Sequence, residues 1–405
     1  MAFRIPHNPL PVTLAALLCS CGSSSEEGFR VEPVPPAVRK HLGLSDFHQK
    51  RVEVGGFSIL GSSRVSDFAL REAAYLIRRM AGNRDDLLAK LNENKARFVI
   101  MARDEYTTDV PEHSDLTPSI YWDQRARGLG ATEIRPAVTC GEENLLCLPG
   151  DPYPTENILI HEFAHALHEM AIVFIDPDFQ DKLEKCFESS LREQIWEGTY
   201  ASTNVPEYWA EGVQSWFDTN RENDHDHGPI NTREELKQSD PRLAALIKEV
   251  FGESEWRYRK PLDRAKPSPH FEGYQAEAEK AFAWPARFAK WKKDFDRGLV
   301  SLAPEGSPEI KTKPWDENTV LRSSYSRKRS MLYFHNLSRE SIILEWIDFD
   351  GRPRQGRTLR HRDHQEINSF VGHVWQIKRY EDGKVSSRFK LPEKPNSQLT
   401  LLDSP

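Results

Sequence analysis

The hydrophobic period of this chain changes once, near residue 314, and that change limits the folds open to it. Before it, apolar residues recur at helical spacing. From Ser66 to Met80 the pattern puts Phe68, Leu70, Ala73, Ala74 and Ile77 on one side and Arg71, Arg78 and Arg79 opposite, with Ser66 placed to cap the helix. Helices are also expected over 155–170 (capped by Thr155), 179–196, 206–218, 241–251 and within 276–296. Short strands come earlier, at 55–60 and 96–101. After the linker-like stretch 303–314 the period becomes two. Strands are expected at 331–335, 341–347, 371–379 and 387–391, with turns at Asp350-Gly351 and Asp382-Gly383. The order predicts an α+β domain over 37–265, a helical linker region over 266–318 and a small all-β sandwich over 319–395.

Composition narrows the class. Hydrophobic residues are 38% and charged residues 29% of the 405. That is too apolar for a disordered chain and too polar for a protein of many membrane spans. Lys plus Arg is 55 against 62 for Asp plus Glu, so the net charge is −7 and nucleic acid is not an expected partner.

The first residues read as a targeting segment. Arg4 precedes a short apolar stretch from Leu10 to Leu18, too short to cross a bilayer. Leu18-Cys19-Ser20-Cys21-Gly22 and the polar run after it resemble a bacterial lipoprotein cleavage box. The resemblance implies a signal peptide over 1–20, lipidation at Cys21 (with Cys19 the second candidate) and a tether over 21–36. The protein is then exported and held to the membrane by lipid alone. An ordinary secretory leader or a disordered tail is the alternative. No later segment is expected to span a membrane. Export permits disulfides: Cys140 and Cys147 flank a short segment and can bridge, leaving Cys186 as a buried free thiol.

The chemistry concentrates at His161-Glu162-Phe163-Ala164-His165. On a helix, positions i and i+4 share a face, so both imidazoles can hold one zinc ion, and Glu162 sits beside that face as a base. A catalytic zinc needs a third protein ligand and an open position. The metzincin extension would require Gly at 168 and His at 171, where this chain has His168 and Ala171. A later helix offers Glu207 and Glu211, four residues apart on an otherwise apolar stretch after Pro206. Acidic groups so placed are unfavourable to bury unless they bind something.

These residues, with Tyr200-Ala201-Ser202-Thr203-Asn204-Val205-Pro206-Glu207-Tyr208-Trp209-Ala210-Glu211, resemble the core of the anthrax lethal factor-like metallopeptidases over roughly 150–220. That family has Tyr seven residues before the ligand Glu and a second Glu four after it. The resemblance implies a zincin-like domain in which His161, His165 and Glu207 bind one zinc ion. It makes Glu162 the general base, Tyr200 the oxyanion donor and Glu211 the residue behind a ligand. Other metal candidates are weaker: His168 is expected to pack, and Asp224-His225-Asp226-His227 to form a solvated loop. The stretch 128–139 is a candidate edge strand for an extended substrate.

A second resemblance lies downstream. Leu332 to Ser338, Trp346 to Gly351 and Ile367 to Trp375 are similar to the β domain of the von Hippel–Lindau tumour suppressor. It implies a β-sandwich that binds hydroxyproline-containing peptide through Trp346, Ser369, His373 and Trp375. The family's pocket Tyr falls at Gly356 here. The sequence therefore predicts an exported zinc metallopeptidase acting on peptide or protein. Its C-terminal module is expected to bind proline-rich or hydroxyproline-containing protein. The alternative is a surface-anchored binding protein with a non-catalytic zinc site.

Overall fold

The structure, a computed structural model, describes residues 29–403 except 267, 315, 317–320 and 355. Cys21, the leader and the start of the tether lie outside the described residues.

A mixed sheet forms the spine of the first domain. Its strands are β1 (Glu32–Pro33), β2 (Lys50–Val54), β3 (Phe57–Gly61), β4 (Arg97–Met101), β5 (Gly128–Leu129) and β6 (Ala137–Gly141). Their spatial order is β1-β2-β3-β4-β6-β5. β3, β4 and β6 run parallel, and β5 closes the edge antiparallel to β6. The central strands are covered on both faces, so they are buried at every position and mostly apolar rather than alternating.

The helices are α1 (Pro36–Leu42), α2 (Asp67–Ala81), α3 (Asp85–Glu93), α4 (Ser119–Arg125), α5 (Glu142–Leu146) and α6 (Ile158–Leu167). They continue as α7 (Val173–Ile175), α8 (Phe179–Arg192), α9 (Val205–Trp216), α10 (Arg233–Ser239), α11 (Pro241–Phe251) and α12 (Ala286–Phe295). α2 begins as the sequence predicts, with the Ser66 side chain accepting from the Phe68 N–H. Its apolar face and those of α3, α6 and α9 share one core with the sheet.

Several expectations are corrected. The cap of α6 is Asn157, not Thr155, because Asn157 Oδ1 accepts from Ile160 N and Asn144 Oδ1 from Ile158 N. The stretch Ile158–Ile175, continued past α6 by a π-type turn, is long and apolar enough to cross a membrane. It is 72% buried inside the domain, which makes it a core helix here. The helix expected within 276–296 is only α12, because Pro285 stands at its N-terminal boundary. Cys140 and Cys147 are free thiols. Cys140 is locked in the core on β6, while Cys147 turns back at the end of α5 with Sγ 3.7 Å from Asn144 O. Cys186 is also free, but half-buried rather than buried.

The second domain has two small sheets. Its strands are β7 (Lys313–Pro314), β8 (Arg329–Asn336), β9 (Ile342–Ile347), β10 (Arg357–Leu359), β11 (His364–Phe370), β12 (Val374–Arg379), β13 (Val385–Lys390) and β14 (Asn396–Leu401). One sheet is β10-β9-β12-β13-β7 and the other β11-β8-β14. Leu332, Phe334, Leu344, Ile377 and Leu399 lie in the core between them. The domain therefore reaches beyond 319–395 at both ends. Pro395 does not end it, because its carbonyl accepts from Met331 N and β14 continues parallel to β8. The linker expected from 266 likewise begins inside the first core, where Phe271 is buried.

The two domains are joined. α12 packs on α4 through Trp291, Phe295 and Tyr121. Phe295 also stacks on His335 of β8 at 4.3 Å. The Tyr121 hydroxyl hydrogen-bonds His364 Nε2 of β11.

Candidate metal centre

Two buried elements bring the predicted ligands together. α6 is fixed at its start by Asn144, whose Nδ2 donates to Asp151 Oδ2 and to the carbonyls of Tyr153 and Glu156, each at 3.0 Å. α9 is capped by Asn204, which accepts from Glu207 N at 2.9 Å and so orients the first turn. Trp209 Nε1 donates to Ala164 O at 2.9 Å and ties α9 to α6.

The result is a tight triangle. His161 Nε2 and His165 Nε2 are 3.1 Å apart, and Glu207 Oε2 lies 3.2 and 3.3 Å from them. Tetrahedral zinc bonds of about 2.0–2.1 Å put donor atoms about 3.3 Å apart. Glu207 Oε2 is buried with no hydrogen-bond partner. Burial works against its charge, but the two imidazoles more than offset this and hold the carboxyl well below its ordinary range. The donor set, two imidazoles and a carboxylate, suits zinc. Among the described residues this is the one His/Cys/Asp/Glu group that converges closely enough to hold an ion.

Glu162 and Tyr200 flank the triangle. Burial raises the Glu162 carboxyl, against the pull of the two imidazoles. The Tyr200 hydroxyl donates to Glu207 Oε1 at 3.1 Å, and burial followed by the Glu207 charge keeps it protonated. The edge strand β5 passes close beneath. A Cβ on Gly128 would meet Ile158 Cγ2 at 2.5 Å and Glu162 Cγ at 2.9 Å, and one on Gly130 would meet His165 Cβ at 2.9 Å. Glycine is required at both positions for strand and helix to come so near. Together they line a cleft of about 620 Å³.

Behind the ligands the partner of His161 is not the expected one. Gln214 Oε1 lies 2.8 Å from His161 Nδ1, while Glu211 Oε1 is at 3.7 Å. Gln214 then donates to Glu156 Oε2 at 3.1 Å, and Glu156 pairs with Arg221 at 2.9 Å. Arg221 reaches Asp224 at 3.2 Å, Asp224 holds His227 at 2.8 Å, and His227 returns to Glu211 at 3.6 Å. Glu211 thus closes a ring of polar groups, buried except at Arg221 and Asp224, and also accepts from Asn220 at 2.9 Å. Gln214 carries no charge, and its only sequence signal is its place three residues after Glu211 on the same face. His168 packs as expected, with Nε2 2.8 Å from Gln180 Oε1. In the 224–227 segment Asp224 Oδ1 accepts from the backbone N–H groups of Asp226 and His227.

The four sandwich residues also meet. Trp346 and Trp375 are directly opposite on β9 and β12. Ser369 Oγ is 3.1 Å from His373 Nδ1 and accepts from Trp375 Nε1 at 3.3 Å. Trp346 Nε1 donates to Ser323 Oγ at 2.9 Å, and Trp346 and His373 pack at 5.2 Å. A Cβ at Gly356 would sit 2.6 Å from Glu345 Cγ and Ile343 Cγ2, so this backbone has no room for an aromatic wall there.

Comparisons bear on the two halves differently. A solved structure of the PRO-PRO endopeptidase PPEP-2 from Paenibacillus alvei is similar to 44% of this chain and to 89% of its own, at 18% identity and a TM-score of 0.28. Residues 321–385 match the family described as the VHL beta domain, so the C-terminal sandwich is VHL-β-like.

Proposed function

We propose that this chain is an exported zinc metallopeptidase that hydrolyses peptide bonds. The observation that carries the proposal is the triangle of His161, His165 and Glu207, with donor atoms 3.1–3.3 Å apart, beside a base and a hydroxyl donor. When bound, zinc would supply Lewis acidity to a water and to the scissile carbonyl. Glu162 takes the proton of the attacking water and delivers it to the leaving amine. Tyr200 donates a hydrogen bond to the oxygen that gains charge. The edge of β5 pairs with an extended substrate. Gln214 fixes the ring of His161 through Nδ1. Lipidation at Cys21 and placement at the cell envelope rest on the N-terminal sequence alone.

For the sandwich we propose docking of proline-rich or hydroxyproline-containing protein on the face formed by Trp346, His373 and the 43% exposed Phe349. The test of the enzyme is mass spectrometry of a diverse peptide mixture incubated with zinc-loaded wild type and Glu162→Gln. Cuts made only by wild type establish the activity. Zinc bound by both proteins with no cuts by either overturns it.

A further inference from the structure

The cleft holds a cation that the hydrolytic chemistry does not use. Two arginines line it, Arg125 and Arg221, among six carboxylates: Glu156, Glu162, Glu169, Glu207, Glu211 and Asp226. Arg221 is bound by Glu156 and Asp224. Among the described residues Arg125 has neither an ion-pair nor a hydrogen-bond partner, and its contact is the Trp122 ring, 5.6 Å from Cζ. Two residues on, Arg127 is fully buried and held by both oxygens of Glu143. Arg125 instead opens into the cleft, near enough for the Glu207 charge to act on it.

Its position is fixed from both sides. Arg125 is the last residue of α4, whose Tyr121 is buried against Phe295 and hydrogen-bonded to His364 of the sandwich. Asp123 accepts from Thr108 N at 2.8 Å, and Thr107 donates to the Ala126 carbonyl at 2.9 Å. The guanidinium thus stands on a held backbone, three residues before β5. Its planar fork of N–H donors fits a carboxylate better than any other common peptide group.

Resting on the peptidase reading, we infer that Arg125 binds a carboxylate of the substrate, on the C-terminal side of the scissile bond. β5 is the edge of its sheet, and antiparallel pairing is the more stable mode. A peptide laid antiparallel along β5 runs against it, so the peptide's C-terminal part lies beside the N-terminal end of β5, where Arg125 stands. The carboxylate is either an Asp or Glu side chain after the cut or the free C-terminus.

The experiment is equilibrium binding by fluorescence anisotropy to the zinc-loaded full chain carrying Glu162→Gln. The probes are N-terminally labelled octapeptides of neutral sequence: the amide, the free acid, and amides with one Glu scanned along them. At least one carboxylate peptide is expected to bind about tenfold tighter than the neutral amide. Adding Arg125→Gln reduces that advantage below twofold, and Arg125→Lys keeps part of it. A winning free acid identifies the terminus, and a winning scan position identifies a side chain. Equal binding of all peptides, or an advantage that survives Arg125→Gln, overturns the inference. The peptidase reading fails separately: wild type that cuts nothing while carboxylate binding persists sinks the activity and leaves the Arg125 site.

Discussion

The metal cleft and the sandwich pocket are both built from histidines, hydroxyls and aromatic rings, yet their polar atoms are in opposite states. In the cleft, Glu207 Oε2 is buried and unsatisfied, two imidazole nitrogens point at the same spot, and Arg125 has no partner acid among the described residues. In the sandwich, Ser369, His373, Trp375, Ser323 and Trp346 already bond one another. Buried polar groups are normally paired, so an unpaired set marks a place shaped for something absent from the chain itself. A paired set holds its own domain together, and a ligand there must break a bond for each bond it makes. The same residue types therefore carry different weight in the two regions.

The largest effect expected on the cleft side is that of Glu162→Gln. It should lower kcat by about 100- to 10,000-fold while zinc content, read by atomic absorption, stays at one per chain. Loss of zinc together with activity would make Glu162 a ligand or a structural group and would blur the contrast.

The junction of the two regions should respond to pH. Burial pushes His335 and His364 down to about 4, and both pack on Phe295. An unfolded histidine titrates near 6.5. Between about pH 6.5 and 4 the unfolded chain takes up protons that the folded chain refuses. The stabilisation is therefore full at neutral pH and falls as the pH drops through that window, by up to about 3 kcal/mol for His335, which is 7% exposed. Calorimetry at pH 7 and 4.5 should show a lower Tm in acid, with a smaller drop in His335→Phe. An equal drop in that variant would assign the acid sensitivity elsewhere.

The polar ring behind the cleft can be sharpened in turn. Gln214→Ala removes the contact to His161 Nδ1 and should weaken zinc binding about 10- to 100-fold, measured by competition with a chelator. Glu211→Gln should weaken it less, because Glu211 is 3.7 Å from that nitrogen. The reverse order would return the orienting role to Glu211.

What the sequence made legible follows from distance along the chain. His161, Glu162 and His165 stand within one helical turn and a half, so periodicity alone puts them on a face. Choosing Glu207 over Glu211 and finding Tyr200 needed a family spacing, while Asn204 and Pro206 begin the helix of Glu207 locally. The cap at Asn157 was hidden because Thr155 and Asn157 are both good capping residues, and Asn144, from another element, decides between them. Gln214 was hidden because an uncharged amide looks like any helix residue. Arg125 acquires its place only when α4 docks on a sandwich whose His364 lies far along the chain. The strand β11 was missed because its alternation is weak: Ile367 and Ser369 point inward, one of them polar.

The smallest effect is expected in the sandwich pocket. A hydroxyproline hydroxyl entering beside Ser369 and His373 would exchange its bond for the one they already share, and exchange of one neutral hydrogen bond for another is worth little. The missing wall at Gly356 removes a further contact. The proposed docking face should thus gain affinity from ring contact with Trp346 and Phe349, and almost none from the hydroxyl. Proline and hydroxyproline versions of one peptide are expected to bind within about threefold of each other by titration calorimetry. His373→Ala should weaken both alike and cost the fold about 1 kcal/mol through the lost Ser369 contact. A preference for hydroxyproline above tenfold, abolished by His373→Ala, would mean that the Ser369–His373 bond opens readily. The pocket would then be poised for a ligand as the cleft is, and pairing between buried groups would no longer separate the two regions.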